Sequence, residues 1–114
     1  MVMRRGEIWW AELPEPKGSS PGYRRPVIIM QSNDFNRSRI NTVMVVVITS
    51  NVKLANAPGN ILLPKKFSAL SKESVVNISQ LITIDKGFLT KRITILPTRF
   101  IRRIEEGLRL VLSL

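Results

Sequence analysis

The residues best suited to chemistry lie in one short stretch, Pro16-Lys-Gly-Ser-Ser-Pro-Gly-Tyr-Arg-Arg-Pro26. Gly18 and Gly22 allow the backbone to approach a ligand closely, and Pro26 biases Arg25 toward an extended conformation. The two arginines end this cationic loop at the mouth of an apolar run, Val27-Ile-Ile-Met30. A guanidinium fixed at the rim of a sheet is well placed to grip a phosphate, because its planar fork of donors meets phosphate oxygens two at a time. The plainer reading is a solvated arginine that merely opens a strand.

What is missing narrows the chemistry. With no cysteine and no histidine, the chain has no thiolate nucleophile, no ordinary zinc site and no imidazole acid–base pair. Its carboxylates are scattered, and only Glu105 and Glu106 are neighbours, inside a helical pattern. A two-metal nuclease centre is therefore not expected. An enzyme of this composition acting on nucleic acid is expected to need no metal and no cofactor, and to rely on arginine, hydroxyls, amides and at most a lone carboxylate.

Eighteen Lys and Arg against eight Asp and Glu give a formal charge of +10 and a pI near 11.2. In a small globular chain this excess points to a polyanionic partner: nucleic acid, an acidic protein or an anionic membrane surface. The longest apolar run, Val43–Ile48, is far too short to span a bilayer, and the Met1–Arg5 start does not lead into a signal-peptide core. A cytoplasmic protein is expected, in keeping with the lack of cysteine. The 114 residues, 44% of them hydrophobic, suffice for one domain spanning 1–114 around one core.

The elements that must position Arg25 follow from pattern. Glu7–Leu13, aromatic and apolar and stopped by Pro14, reads as a strand, and Pro26–Gln31 as a second. Ser32 is a good N-cap for one helical turn through Ser38. Thr42–Thr49 is a β-branched run without alternation, the pattern of a central strand buried on both faces. Ser50–Gly59 reads as a loop, Asn60–Pro64 as a short edge strand, Lys65–Glu73 as a polar connector, Ser74–Ile84 as a strand turning at Asp85–Gly87, and Ile93–Leu96 as the last strand. From Thr98, just after Pro97, apolar residues recur at three- and four-residue steps (Phe100, Ile101, Ile104, Leu108, Val111, Leu112), which predicts an amphipathic helix. Gly107 inside it costs about 1 kcal/mol relative to alanine; close packing would justify that cost, and a tolerated surface glycine is the alternative. The expected fold is mostly β with a C-terminal α-helix, a small curled sheet or barrel of antiparallel strands.

Taken in order, Arg5-Gly-Glu-Ile-Trp9, Lys17-Gly-Ser19, Arg25-Pro-Val27, Ser32-Asn-Asp34, Val47-Ile-Thr-Ser50, Ala57-Pro-Gly59, Glu73-Ser-Val75 and Ser79-Gln80 with Thr83-Ile-Asp85 resemble the MazF/PemK-type toxins of type II toxin–antitoxin systems. The likeness runs from about residue 4 to the C-terminus. It implies an SH3-like, PemK/CcdB-like barrel that forms a homodimer. It also implies metal-independent, sequence-specific cleavage of single-stranded RNA by attack of the ribose 2′-hydroxyl, leaving 2′,3′-cyclic phosphate and 5′-hydroxyl ends. A cognate acidic, MazE-like antitoxin is the implied protein partner. The resemblance places the catalytic arginine on Arg25 and the catalytic threonine on Thr49.

The chemistry is consistent with that assignment. In-line attack builds charge on the equatorial phosphoryl oxygens, so fixed donors matter more than a protein nucleophile. Arg25 supplies a permanent charge but, as a group that does not give up its proton, is a poor general base. Thr49 supplies a short, rotationally restricted hydroxyl; its plainer reading is a strand-end threonine capping the next turn. Many relatives read Gly-Ser-Glu-Gln where this chain has Gly18-Ser-Ser-Pro21, so Ser20 stands where a glutamate base would be expected, and no general base is assigned. RNA contacts are expected from Lys17, Ser19, Ser20, Tyr23 and Arg24 in the first loop and from Ser50, Asn51 and Lys53 in the next. Asn33 and Gln80 are candidate base-edge readers. One of Trp9 and Trp10 must face inward, leaving the other for a groove or interface. Arg37, Arg39, Arg99, Arg102 and Arg103 read as solvated charges. Two alternatives stand beside the nuclease: a CcdB-like gyrase poison, disfavoured because both tryptophans lie near the N-terminus, and a catalytically weak nucleic-acid-binding module.

Overall fold

Thr42–Thr49 sits in the middle of the sheet, as its run of β-branched residues predicts, with Val43 and Val45–Ile48 buried and Met44 exposed. The computed structural model describes residues 2–18 and 22–114. Its strands are β1 (Glu7–Leu13), β2 (Tyr23–Ile29), β3 (Thr42–Thr49), β4 (Ile61–Leu63), β5 (Ser74–Asp85) and β6 (Leu89–Ile95). One-turn helices α1 (Asn33–Asn36) and α2 (Lys65–Ser68), two 3₁₀ turns (Val52–Asn56 and Lys86–Phe88) and a closing helix α3 (Thr98–Leu112) complete the chain. The six strands form one antiparallel sheet in the order β4-β5-β3-β2-β1-β6, a curled half-barrel with β4 and β6 at its edges. Mostly β with a C-terminal helix is therefore the fold.

Each face of the sheet carries a buried apolar cluster. Val43, Val45 and Val47 join Trp9, Val27 and Ile29 on one side. Val46 and Ile48 join Ile8, Ile28, Ile78 and the α3 residues Phe100 and Ile104 on the other. Register shifts lie in the β1–β6 pairing, between Ile8 and Trp9 and between Trp10 and Ala11, and in β5. Its pairing with β3 jumps from Val46↔Leu81 to Val47↔Asn77, leaving Ile78, Ser79 and Gln80 as extra residues on the longer strand. Such a bulge bends a strand and increases its local twist.

Gly107 proves to be a packing residue. A Cβ there would lie 2.6 Å from the Gly59 carbonyl oxygen and 3.0 Å from Ile78 Cγ1. Ile104 is fully buried while Val111 is exposed, so the inner face of α3 serves the core and its C-terminal end does not. Three boundaries differ from expectation. The second strand starts at Tyr23 rather than Pro26, the last at Leu89 rather than Ile93, and the Lys65–Glu73 connector contains a helical turn. Among the described residues no helix is long and apolar enough to cross a membrane.

The N-terminal end of β1 is held by a buried charge. Glu7 is 4% exposed; its carboxylate accepts from the Arg4 backbone N–H at 2.7 Å, the Trp9 indole N–H at 3.1 Å and the Arg92 guanidinium. Burial alone would push its carboxyl up. The Arg92 hydrogen bond, those from Arg4 and Trp9, and the Arg92 charge outweigh burial and hold it below the ordinary 4.5.

Candidate active site

A single proline opens the site. The ladder between β2 and β3 runs from Ile29↔Val45 to Val27↔Val47 and stops there. The next residue on β2 is Pro26, which has no N–H to continue the ladder. Beyond that point a cavity of about 200 Å³ lies at the ends of the strands, lined by Trp10, Arg24, Arg25, Pro26, Ile48 and Ser50. Its far wall is Leu70, Ser71 and Lys72, from the segment expected to be only a polar connector, and Ser74 at the start of β5. Ser74 is buried and donates its hydroxyl to the Lys72 carbonyl at 3.1 Å, which shapes that wall.

Arg25 is fixed by its own loop. Its Nε donates to the Gly22 carbonyl at 3.3 Å. A Cβ on Gly22 would fall 2.3 Å from Pro16 Cδ, so only glycine permits this fold-back beside Arg25. Tyr23 next to it takes φ 57°, an uncommon conformation for a non-glycine residue that reverses the chain into β2. Among the described residues no carboxylate lies within 4 Å of the Arg25 guanidinium. Its remaining N–H groups are thus available to an anion.

Thr49 shares the strand ends with Arg25. Arg25 lies two residues before the last β2–β3 pair, Val27↔Val47, and Thr49 two residues after it; the pairs observed for them are Ala11↔Arg25 and Thr49↔Val75. Thr49 is half-buried and does not itself line the cavity, whereas Ser50 does. Its Oγ1 accepts from the Asn51 N–H at 3.2 Å, so the turn-capping reading of this residue holds. A hydroxyl that accepts one bond still has its own proton to donate, and the Asn51 contact limits where that hydroxyl can turn. Asn51 caps the 3₁₀ turn by accepting from Lys53 N–H at 3.3 Å. Asn60 then ties the turn to the sheet, donating to the Leu54 carbonyl at 2.9 Å and accepting from Ile78 N–H at 2.9 Å.

The tryptophans divide as expected. Trp9 is buried, while Trp10 is half-exposed and floors the cavity under Arg24, whose guanidinium carbon stands 4.0 Å from the ring centroid. Arg24 also approaches Glu12 at 3.8 Å, an exposed and weak pair. Of the other expected contact residues, Ser50 joins the cavity, while Tyr23, Lys17, Asn51 and Lys53 are exposed on the flanking loops. Ser19 and Ser20 lie outside the described residues. Asn33 is not brought to the site. It follows the other end of β2, where its side chain accepts the Arg5 N–H at 2.8 Å. Gln80 sits in the β5 bulge and does not line the cavity. The wall residues Leu70, Ser71, Lys72 and Ser74 are not among the sequence candidates, and the polar run Ser71-Lys-Glu-Ser74 is their one signal in the sequence. Among the described residues no carboxylate lines the cavity.

The chain matches, over residues 4–112, the family described as PemK-like, MazF-like toxin of type II toxin-antitoxin system. It is 46% identical over 114 residues to Endoribonuclease MazF6 of Mycobacterium tuberculosis, covering 100% of both chains. It is 32% identical to Endoribonuclease EndoA of Bacillus subtilis, covering 100% of this chain and 97% of that one. Among solved structures, a MazF from Deinococcus radiodurans superposes with a TM-score of 0.84 at 18% identity, covering 100% of this chain and 99% of that one. An endoribonuclease in complex with its cognate antitoxin, from a mycobacterial species, superposes with a TM-score of 0.75 at 19% identity, covering 99% and 95%. With a fold, a basic strand-end cavity and a full-length sequence match in agreement, the chain belongs to the PemK-like, MazF-like toxin family of type II toxin–antitoxin systems.

Proposed function

We propose that this toxin is an endoribonuclease that cuts single-stranded RNA at a short motif, without metal, through the 2′-hydroxyl next to the scissile phosphate. The 2′-oxygen forms a bond to phosphorus as the bond to the 5′-oxygen breaks. The 2′-hydroxyl gives up its proton and the 5′-oxygen gains one, leaving a 2′,3′-cyclic phosphate and a 5′-hydroxyl. Arg25 neutralises the charge that builds on the equatorial oxygens, and Thr49 donates a hydrogen bond to the same group. Trp10 offers a face on which a base stacks, with Arg24 and Lys72 meeting the neighbouring phosphates.

The observation that carries this reading is the loop-tethered Arg25 at the rim of the strand-end cavity, with no carboxylate within 4 Å of its guanidinium among the described residues. The relatives named endoribonuclease support the activity. A gyrase poison is not favoured, since those relatives match along the whole chain. By extension from the antitoxin-bound structure, the partner is an acidic MazE-like antitoxin competing with RNA on a homodimer of this one-domain chain in the cytoplasm. The test is a long RNA incubated with the protein in EDTA, with its ends mapped. Cuts at a recurring motif bearing 5′-hydroxyl ends are expected. Intact RNA at high enzyme, or cuts that require added metal, would refute the mechanism.

A further inference from the structure

Of the three α3 arginines expected to be solvated charges, Arg99 and Arg103 are stacked on aromatic rings, while Arg102 is simply exposed. The Arg99 guanidinium carbon lies 4.6 Å from the Phe67 ring centroid and 5.1 Å from that of Phe100, and the two rings stand 5.1 Å apart. Lys66 covers Phe67 from 5.1 Å, and Arg103 lies 5.6 Å from Phe100. None of these cations has a carboxylate within 4 Å among the described residues. They are exposed yet pinned against aromatic rings and unneutralised, an arrangement that holds positive charge in fixed positions at reduced entropic cost.

This ridge is continuous with the cavity. α2, which carries Lys66 and Phe67, runs through Ala69 straight into Leu70, Ser71 and Lys72 of the cavity wall. Phe67 and Leu70 pack against the same core cluster as Phe100. We infer that the α2–α3 ridge built on Lys66, Arg99 and Arg103 is a second RNA subsite, which holds the phosphates of the strand where it leaves the Arg25 cavity. The inference rests on the RNA-cleaving reading for its ligand. Contacts of this kind are to phosphate and base faces and are sequence-tolerant, so the ridge adds length dependence and not motif recognition.

The experiment measures binding of fluorescein-labelled oligouridylates of six and fourteen nucleotides to the full chain by anisotropy, across a salt series. The Lys66→Ala/Arg99→Ala variant is expected to weaken the fourteen-mer about tenfold and leave the six-mer within about twofold. With two phosphate contacts removed, its salt slope on the fourteen-mer falls by about 1.4. Because Arg99 also covers Phe67, Lys66→Gln alone is measured beside it and should give a smaller loss of the same length-selective kind. Equal weakening of both lengths, or of neither, overturns the subsite. So does a variant that loses affinity for an oligoglutamate peptide while holding both RNAs as before. Binding is read without cleavage, so an RNA that is never cut counts against the proposed activity and leaves the length comparison intact.

Discussion

Replacing Gly107 with alanine should destabilise the protein, although helix propensity alone predicts the reverse. In an exposed helix the change would stabilise by about 1 kcal/mol. Here the new methyl carbon would lie 2.6 Å from the Gly59 carbonyl oxygen and 3.0 and 3.2 Å from Ile78 Cγ1 and Cδ1. Ile78 is fully buried and has little room to turn. Gly59 holds a φ of +80°, so its carbonyl cannot swing away without moving the turn that Asn60 ties to β5. Overpacking of this kind costs about 1–3 kcal/mol, and contact with backbone puts it in the upper part of that range. Net of the propensity gain, a loss of about 1–2 kcal/mol is expected, lowering Tm by about 4–10 °C for a domain of this size. Urea unfolding by circular dichroism, with a thermal melt beside it, reads this directly. RNA cleavage per folded molecule should not change. A variant as stable as the parent, or more so, would show that α3 does not pack on the Gly59 turn as described.

Stability should fall as the solution is acidified through the Glu7 transition. Because its carboxyl titrates below the ordinary 4.5, its contribution is present above that value and is lost as pH drops through the folded-state pKa. Glu7→Gln should cost about 1–3 kcal/mol at neutral pH and shrink the acid-side drop in a pH series of urea midpoints; an unchanged pH profile would contradict the assignment. Trp10→Ala should weaken RNA binding by about 1–3 kcal/mol with a much smaller change in melting temperature, checked by anisotropy and calorimetry. RNA affinity should fall with salt by a slope of about 0.7 for each phosphate neutralised, and a flat salt titration would assign the +10 charge to another partner.

The parts of the fold set by local pattern were readable in the sequence. Val45–Ile48 within Thr42–Thr49 has side chains that pack on both sides of a pleated surface. Thr98–Leu112 follows a helix-starting proline with a three-to-four-residue apolar period. What the sequence hid depends on contacts between distant segments. Tyr23–Arg25 looks like loop, yet pairs with Leu13–Ala11 of β1 because Gly22 lets the chain fold back on Pro16. The β5 bulge has no local signature; it follows from wrapping one long strand around β3, and it carries Gln80 away from the cavity. Asn33 resembled a base reader in type, but the length of β2, about 3.3 Å per residue, separates it from Arg25. The roles of Arg25 and Thr49 entered through resemblance. The observed β2–β3 pairing ends at Val27↔Val47, so it does not by itself join the two.

Single-turnover cleavage of a mapped RNA substrate in EDTA by the parent, Arg25→Ala and Thr49→Ala proteins tests the central claim most directly. Loss of one preorganised donor should slow the chemical step by about 10²–10³ in each variant, while binding of a substrate with 2′-deoxyribose at the scissile position stays within about tenfold of the parent. Cleavage by Arg25→Ala at the parental rate, with the same ends, would contradict the account.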